Sequence, residues 1–290
     1  MSKKDKPGRH QRMLAAYGFG LFSLPRYREI RGEGWQIRHH LPSMSEGYLT
    51  PSFVEGNRFV LYQGRRPWMS TGLFEVESHA FHVHAAHGLV VVAGLGMGMY
   101  AFAACAKPQV ERVVVVERDA AVIAMFSAAA GLETWPDRHK LIIVQADALD
   151  AALAERLTEP CQGRAADYFY ADIWPLTPDA TAPPQAGAMV RALAPKAAGW
   201  WGQELNFGQW CLERRRPIDG AALADYAALC GVPIPADAGY AAFCRDVAAV
   251  NHALIAPRPP RRRPWWRRFF GAGSENLNSG AAAPPDGPAP

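Results

Sequence analysis

Long apolar runs are missing from this chain. No stretch reaches the roughly 18 uninterrupted apolar residues from which a membrane-crossing helix is built. The charged start Met1-Ser2-Lys3-Lys4-Asp5-Lys6 has no apolar segment behind it of the kind a secretory signal carries. Both absences point to a soluble, cytoplasmic protein without a transmembrane segment. Cysteine is scarce as well. Cys105, Cys161, Cys211, Cys230 and Cys244 are odd in number and include no CxxC pair. That argues against a disulfide framework or a zinc knuckle and leaves buried free thiols as the expectation. No internal repeat is visible. The middle of the chain also lacks excess positive charge. The net +4 is the balance of a basic start (residues 1–12, +4), a basic end (residues 257–290, +4) and a centre at −4. The basic character belongs to the ends and says little about what the centre binds.

What is present is apolar residue in quantity, 49% of 290 positions, enough to bury a sizeable core. From Trp35 to Ser70, short apolar stretches (Trp35-Gln36-Ile37-Arg38 and Arg58-Phe59-Val60-Leu61-Tyr62) alternate with turn-formers such as Glu55-Gly56-Asn57 and Gln63-Gly64. This predicts a small antiparallel β section. A helix over Glu75 to His87 follows. Then apolar runs at 89–93, 112–116, 140–144 and 167–171 alternate with helical segments at 99–106, 120–130 and 148–157. A weaker fifth run lies near 197–203, and helical pattern resumes at 207–213, 221–230 and 240–252 with no clear late β hairpin. Strands apolar on both faces and separated by helices imply an α/β fold with a doubly wound, mainly parallel sheet of Rossmann-like type.

The chemistry gathers at the ends of those runs. The first closes on Gly94-Leu95-Gly96-Met97-Gly98 before a helix, where backbone without Cβ atoms can approach a nucleotide. The second, Val113-Val114-Val115-Val116, ends on Glu117, 19 positions after Gly98, where an acid can accept hydrogen bonds from ribose hydroxyls. Asp119 reads as the cap of the next helix. The third leads to Gln145-Ala146-Asp147-Ala148, with Asp147 able to accept from an adenine amino group or to cap a helix. The fourth ends in Asp172-Ile173-Trp174-Pro175. Open α/β sheets bind ligands at this carboxyl edge.

These residues resemble motifs I to IV of the class I S-adenosylmethionine-dependent methyltransferases, over about residues 85–205. The resemblance implies that Gly94, Gly96 and Gly98 pack against the methionine part of the cofactor and that Glu117 binds its ribose. It also implies that Asp147, with Ala148 in the same cofactor-binding set, lies near the adenine. A closer resemblance is to the spermidine synthase branch, in which a small β domain precedes the nucleotide domain, much as Phe59-Val60-Leu61-Tyr62-Gln63-Gly64 and the 75–79 segment precede Leu89 here. That branch's catalytic aspartate aligns with Asp172. Its glycine loop carries an aspartate that helps hold the amino group of decarboxylated S-adenosylmethionine, and this chain has Met97 there. Asp172-Ile173-Trp174-Pro175 and Trp200-Trp201-Gly202-Gln203-Glu204-Leu205 are also similar to a group of bacterial and phage methyltransferase-like proteins.

The expectation is therefore a methyltransferase using S-adenosylmethionine and acting on an unidentified, small-molecule or other, methyl acceptor. Asp172 would orient or deprotonate the acceptor, and Trp174 would wall it. The alternatives are a spermidine synthase-like aminopropyltransferase and a catalytically silent S-adenosylmethionine-binding protein. A dinucleotide fingerprint would want a glycine where Met99 stands. His79, His82, His84 and His87 scatter around a helix at about 100° per residue, so no metal site is expected.

Four stretches follow. Residues 1–30 are a basic N-terminal segment, 31–84 the β section and linking helix, 85–256 the cofactor-binding domain with C-terminal helices, and 257–290 a disordered Pro-rich basic tail. The tail's Arg261-Arg262-Arg263-Pro264-Trp265-Trp266-Arg267-Arg268-Phe269-Phe270 suits weak contact with nucleic acid or an anionic surface.

Overall fold

The computed structural model describes residues 14–235 and 237–256. The basic start and the Arg/Trp tail lie outside the described residues. The antiparallel section read between Trp35 and Ser70 is present as β1 (Ile30–Arg31), β2 (Trp35–His40), β3 (Ser43–Ser45), β4 (Phe53–Glu55), β5 (Arg58–Gln63) and β6 (Arg66–Ser70). β1-β2-β5-β6 form one sheet, and β3 pairs with β4. Gly64, at φ +57, makes the turn between β5 and β6 that a residue with a Cβ would strain. Alternation along β2 turns Trp35 and Ile37 inward, where with Leu61 they meet Met97, Met99, Val122 and Met125 of the following segment.

After helix α1 (Leu73–Ala85) come β7 (Gly88–Ala93), α2 (Met99–Cys105), β8 (Val110–Glu117), α3 (Ala120–Ala129), β9 (Leu141–Gln145), α4 (Leu153–Leu157), β10 (Tyr168–Ala171), α5 (Ala182–Leu193) and β11 (Ala197–Trp200). The second sheet has the order β11-β10-β7-β8-β9, and its pairs are all parallel. Successive residues of each strand serve opposite layers. Leu89, Val91 and Ala93 pack with the later helices, while Val90 and Val92 pack with α2 and with Phe126 and Trp135. This two-sided burial explains the unbroken run Val113–Val116, none of which reaches solvent.

Register decides where the chemistry converges. Ala93 is level with Val116 and Ala171, Glu117 with Gln145, and Ala171 with Trp200. The residues that follow each strand therefore form one rim. The chain runs from β7 outward to β8 and β9 and then returns to β10 on the other side of β7. This places a topological switch point between Gly94 and Asp172, where open sheets bind ligands.

Two elements differ from the sequence pattern. The helix expected over 148–157 is reduced to α4, because Asp147 and Asp150 turn the chain by accepting the backbone N–H groups of Leu149 and Ala152. Helix α5 is additional. Its Pro183 and Pro184 sit in the first turn, where a missing N–H costs nothing. Helices α6 (Gln203–Glu213), α7 (Gly220–Cys230), α8 (Ala238–Val250) and α9 (His252–Ile255) complete the described chain. Of the cysteines, Cys105, Cys161, Cys211 and Cys244 are buried and Cys230 partly so, all as free thiols. No helix among the described residues is long and apolar enough to cross a membrane.

Under β10 and β11 lies a closed polar cluster. Glu204, fully buried, accepts the hydroxyls of Tyr48 and Tyr240, both at 2.8 Å, and stands 3.7 Å from His82 Nε2. Burial raises the Glu204 carboxyl to about 7 in spite of those donors, and burial pushes His82 well below the usual imidazole range.

Candidate functional site

A cavity of about 320 Å³ opens at the rim of the parallel sheet. Among the expected site residues, Gly94, Gly96, Glu117, Asp147, Ala148, Asp172 and Trp174 all line it. Gly94 is required by close approach to backbone, and Gly96, at φ +50, by its backbone conformation. A Cβ on Gly94 would lie 2.0 Å from the Asp172 carbonyl oxygen, and one on Gly96 would lie 2.4 Å from Met69 Sδ. Gly98 has a different setting. It is not among the lining residues, and at φ +71 it turns the chain into α2 with its Cα against the Phe126 ring, where a Cβ would meet Cε2 at 2.1 Å. It shapes the loop. Met97 is fully buried with Trp35 and Leu61 and does not line the cavity, so the loop presents no carboxylate at that position.

The loop is tied down on both sides. Met69 Sδ accepts the Met97 N–H at 3.2 Å, and the Tyr27 hydroxyl donates to the Met97 carbonyl at 2.8 Å. Glu117 Oε2 accepts the Leu95 N–H at 3.0 Å, while Oε1 accepts the Asp119 N–H at 2.9 Å. Each oxygen keeps a lone pair for a further donor. Asp119 caps α3 through the Ala121 N–H, and its other oxygen accepts the Trp35 indole N–H at 2.8 Å. Asp147 is exposed at the rim, and the buried Ala148 follows it.

Asp172 leaves β10 half-buried at the cavity wall. Burial, followed by the nearby Glu117 charge, raises its carboxyl to about 7. Trp174 is buried, with its indole N–H donating to Gln185 Oε1 at 2.7 Å, which fixes the ring as a wall. Trp201 is anchored similarly on Ser78 Oγ at 2.9 Å.

Several lining residues were not picked out from the sequence. Trp35, Trp68 and Met69 come from the antiparallel section, and Glu75 comes from the first turn of α1. Burial, then the Asp172 charge, lifts Glu75 to about 8. His79, one turn on, is 1% exposed. Its Nε2 stands 3.8 Å from Asp172 Oδ2 and 4.0 Å from Glu75 Oε2. His82 is buried too, while His84 and His87 face out, so the four do not share one stripe. The sequence signal that could have found Glu75 is its i, i+4 spacing to His79, which stacks the two on one helix face.

No protein-family model and no curated protein sequence matches the chain. Solved structures resemble it in layout. The methyltransferase domain of bacterial CtHen1-CN is 12% identical over 41% of this chain and 57% of its own, at a TM-score of 0.31. A spermidine synthase bound to the transition-state analogue AdoDATO is 15% identical over 68% and 63%, at 0.32. The Thermotoga maritima spermidine synthase is 16% identical over 58% and 62%, at 0.31. The chain spans less than two thirds of each of these three. Scores at this level carry no argument about substrate or reaction.

Proposed function

We propose that this chain is a methyltransferase that takes its methyl group from S-adenosylmethionine and delivers it to an acceptor bearing an amine or hydroxyl. One observation carries the reading. Consecutive strand ends bring Gly94 and Gly96, Glu117, Asp147 and Ala148, and Asp172 and Trp174 to a single cavity at the switch point. Open backbone at Gly94 and Gly96 suits the extended amino-acid part of the cofactor. Glu117, already oriented by two backbone N–H groups, has free lone pairs for vicinal hydroxyls. The bound cofactor supplies a methyl group activated by its sulfonium centre.

The protein's share is alignment, exclusion of water and proton handling. Asp172 faces the cavity from the loop beside Gly94. With its carboxyl near 7, it can hold the acceptor by a hydrogen bond and take its proton. Trp174 and Trp201 wall the site.

Calorimetry of the full chain with S-adenosylmethionine and with its decarboxylated form tests the cofactor assignment. Preferential binding of S-adenosylmethionine is expected, because Met97 gives no loop carboxylate for the decarboxylated form. Tighter binding of the decarboxylated form would turn the reading to aminopropyl transfer, and binding of neither would end both. Incubation with labelled cofactor and a panel of amines and hydroxy compounds should then give an acceptor mass shift of one methyl group.

A further inference from the structure

Methionine is concentrated where the glycine loop is supported. Of the eight in the chain, Met97, Met99 and Met125 are buried in one cluster at the loop, and Met69 packs against them from the antiparallel section. Among the described methionines only Met69 lines the cavity, where it is half-buried. Its sulfur meets the loop twice. It accepts the Met97 N–H at 3.2 Å, and it lies directly over Gly96, where a Cβ would overlap it. One polarisable atom thus supports the stretch of backbone assigned above to the methionine part of the cofactor. Met44 lies on β3, 65% exposed and outside the cavity lining, and Met189 is buried. A dissolved oxidant therefore reaches two of the described methionine sulfurs, Met44 and Met69, and of these only Met69 is bonded to the loop.

We infer that the Met69 thioether is a reversible oxidation site through which a peroxide loosens the glycine loop and lowers affinity for the cofactor. The consequence for the cofactor rests on the methyltransferase reading, and the oxidation and its effect on the loop rest on the geometry alone. A lone pair of the sulfur attacks one oxygen of hydrogen peroxide. The S–O bond forms as the O–O bond breaks, and the proton of the transferred oxygen passes to the departing hydroxide, which leaves as water. Sulfur is oxidised and the peroxide is reduced. The sulfoxide turns an apolar side chain into a polar, bulkier one. Its oxygen has three directions open to it. Toward Gly96 and Met97 it pushes on backbone that the sulfur already touches. Toward Trp35 and Leu61 it buries a polar atom among apolar side chains, where the Trp35 indole N–H is already committed to Asp119. Toward the cavity it fills the space beside Gly96 that the cofactor would take. A side chain that swings away to avoid all three leaves the Met97 N–H without its acceptor. Each arrangement weakens the cofactor site.

The test treats the ligand-free full chain with hydrogen peroxide and follows Met69 by peptide mass mapping until it carries one added oxygen. Melting temperature and calorimetric affinity for S-adenosylmethionine are then compared with those of the untreated chain. Both should fall, the affinity by about tenfold or more, the effect of one misplaced buried polar group. Methionine sulfoxide reductases of both stereospecificities, with a dithiol reductant, should restore both values. Met69→Leu, whatever its own starting values, should pass through the same treatment without further change, although Met44 is oxidised there as well. The inference is overturned by any of three results: Met44 is converted while Met69 stays a thioether, oxidised Met69 leaves melt and affinity where they were, or the loss persists in Met69→Leu. If that variant fails to fold, recovery with the reductases decides. If the untreated chain binds no S-adenosylmethionine, the methyltransferase reading fails while the melt still decides whether the sulfur holds the loop.

Discussion

Glu117 carries two tasks in one side chain. It bridges the Leu95 and Asp119 backbone N–H groups and presents its remaining lone pairs to the cavity. Glu117→Ala is therefore expected to weaken S-adenosylmethionine binding by about 1–3 kcal/mol, the scale of losing hydrogen bonds to a charged acceptor. It should also lower the melting temperature of the ligand-free protein. Calorimetry and a thermal melt read the two separately, and an unchanged affinity would remove Glu117 from the ribose site. Asp172 acts as a base only when ionised, so turnover should rise with pH through about 7. Asp172→Asn should erase that limb and leave cofactor affinity unchanged. Carboxylates at strand ends are legible in sequence because an acid closing an apolar run stands out. Glu75 and His79 were not legible as partners of Asp172, since nothing local says that a helix before the first sheet strand will face the loop after the fourth.

At the scale of elements, the glycine loop separates into parts that the sequence shows alike. Gly94 and Gly96 line the cavity, whereas Gly98 is a hinge into α2 pressed on Phe126. Gly98→Ala combines a positive φ with a ring clash. It should destabilise the fold by about 1–3 kcal/mol in a denaturant melt, the cost of a strained backbone residue. Strand positions were legible because unbroken β-branched runs such as Val113–Val116 admit few other structures. The helix after β9 was read too long, because Ala148–Leu157 has helical composition throughout and only the backbone bonds of Asp147 and Asp150 reveal the turn. Helix α5 was hidden by Pro183 and Pro184, which break helices everywhere except the first turn.

At the scale of the whole molecule, buried titratable groups tie stability to pH. Glu75, Asp172 and Glu204 have folded values of about 8, about 7 and about 7, above their ordinary range. The native state thus holds protons that the unfolded chain releases, and stability falls as pH rises through those values. His79 and His82 are shifted down, so their opposite contribution is lost only as pH falls below about 6.5. Between about 6.5 and about 8 the carboxyl effect dominates, with Lys107, lowered to about 8 by burial, opposing it only toward the upper end, and the melting temperature should decline across that window. A flat or rising profile would contradict it, and Glu204→Gln should reduce the slope. The far end of the described chain gives a second expectation at this scale. Asn251 Nδ2 donates to the Tyr48 carbonyl at 2.7 Å, and Ile255 is buried, so ending the chain after Ala256 should preserve the melt while ending it after Val250 should lower it. Sequence alone determined the parallel sheet, its antiparallel companion and the row of strand-end groups, because periodicity and glycine placement are local constraints on the backbone. Only the tertiary structure decided that Gly98 packs on Phe126 and Met97 is buried, that tryptophans of the antiparallel section line the cavity, and that His79 sits between two carboxyls. Those are outcomes of packing between segments far apart in the chain, for which no local pattern carries the information.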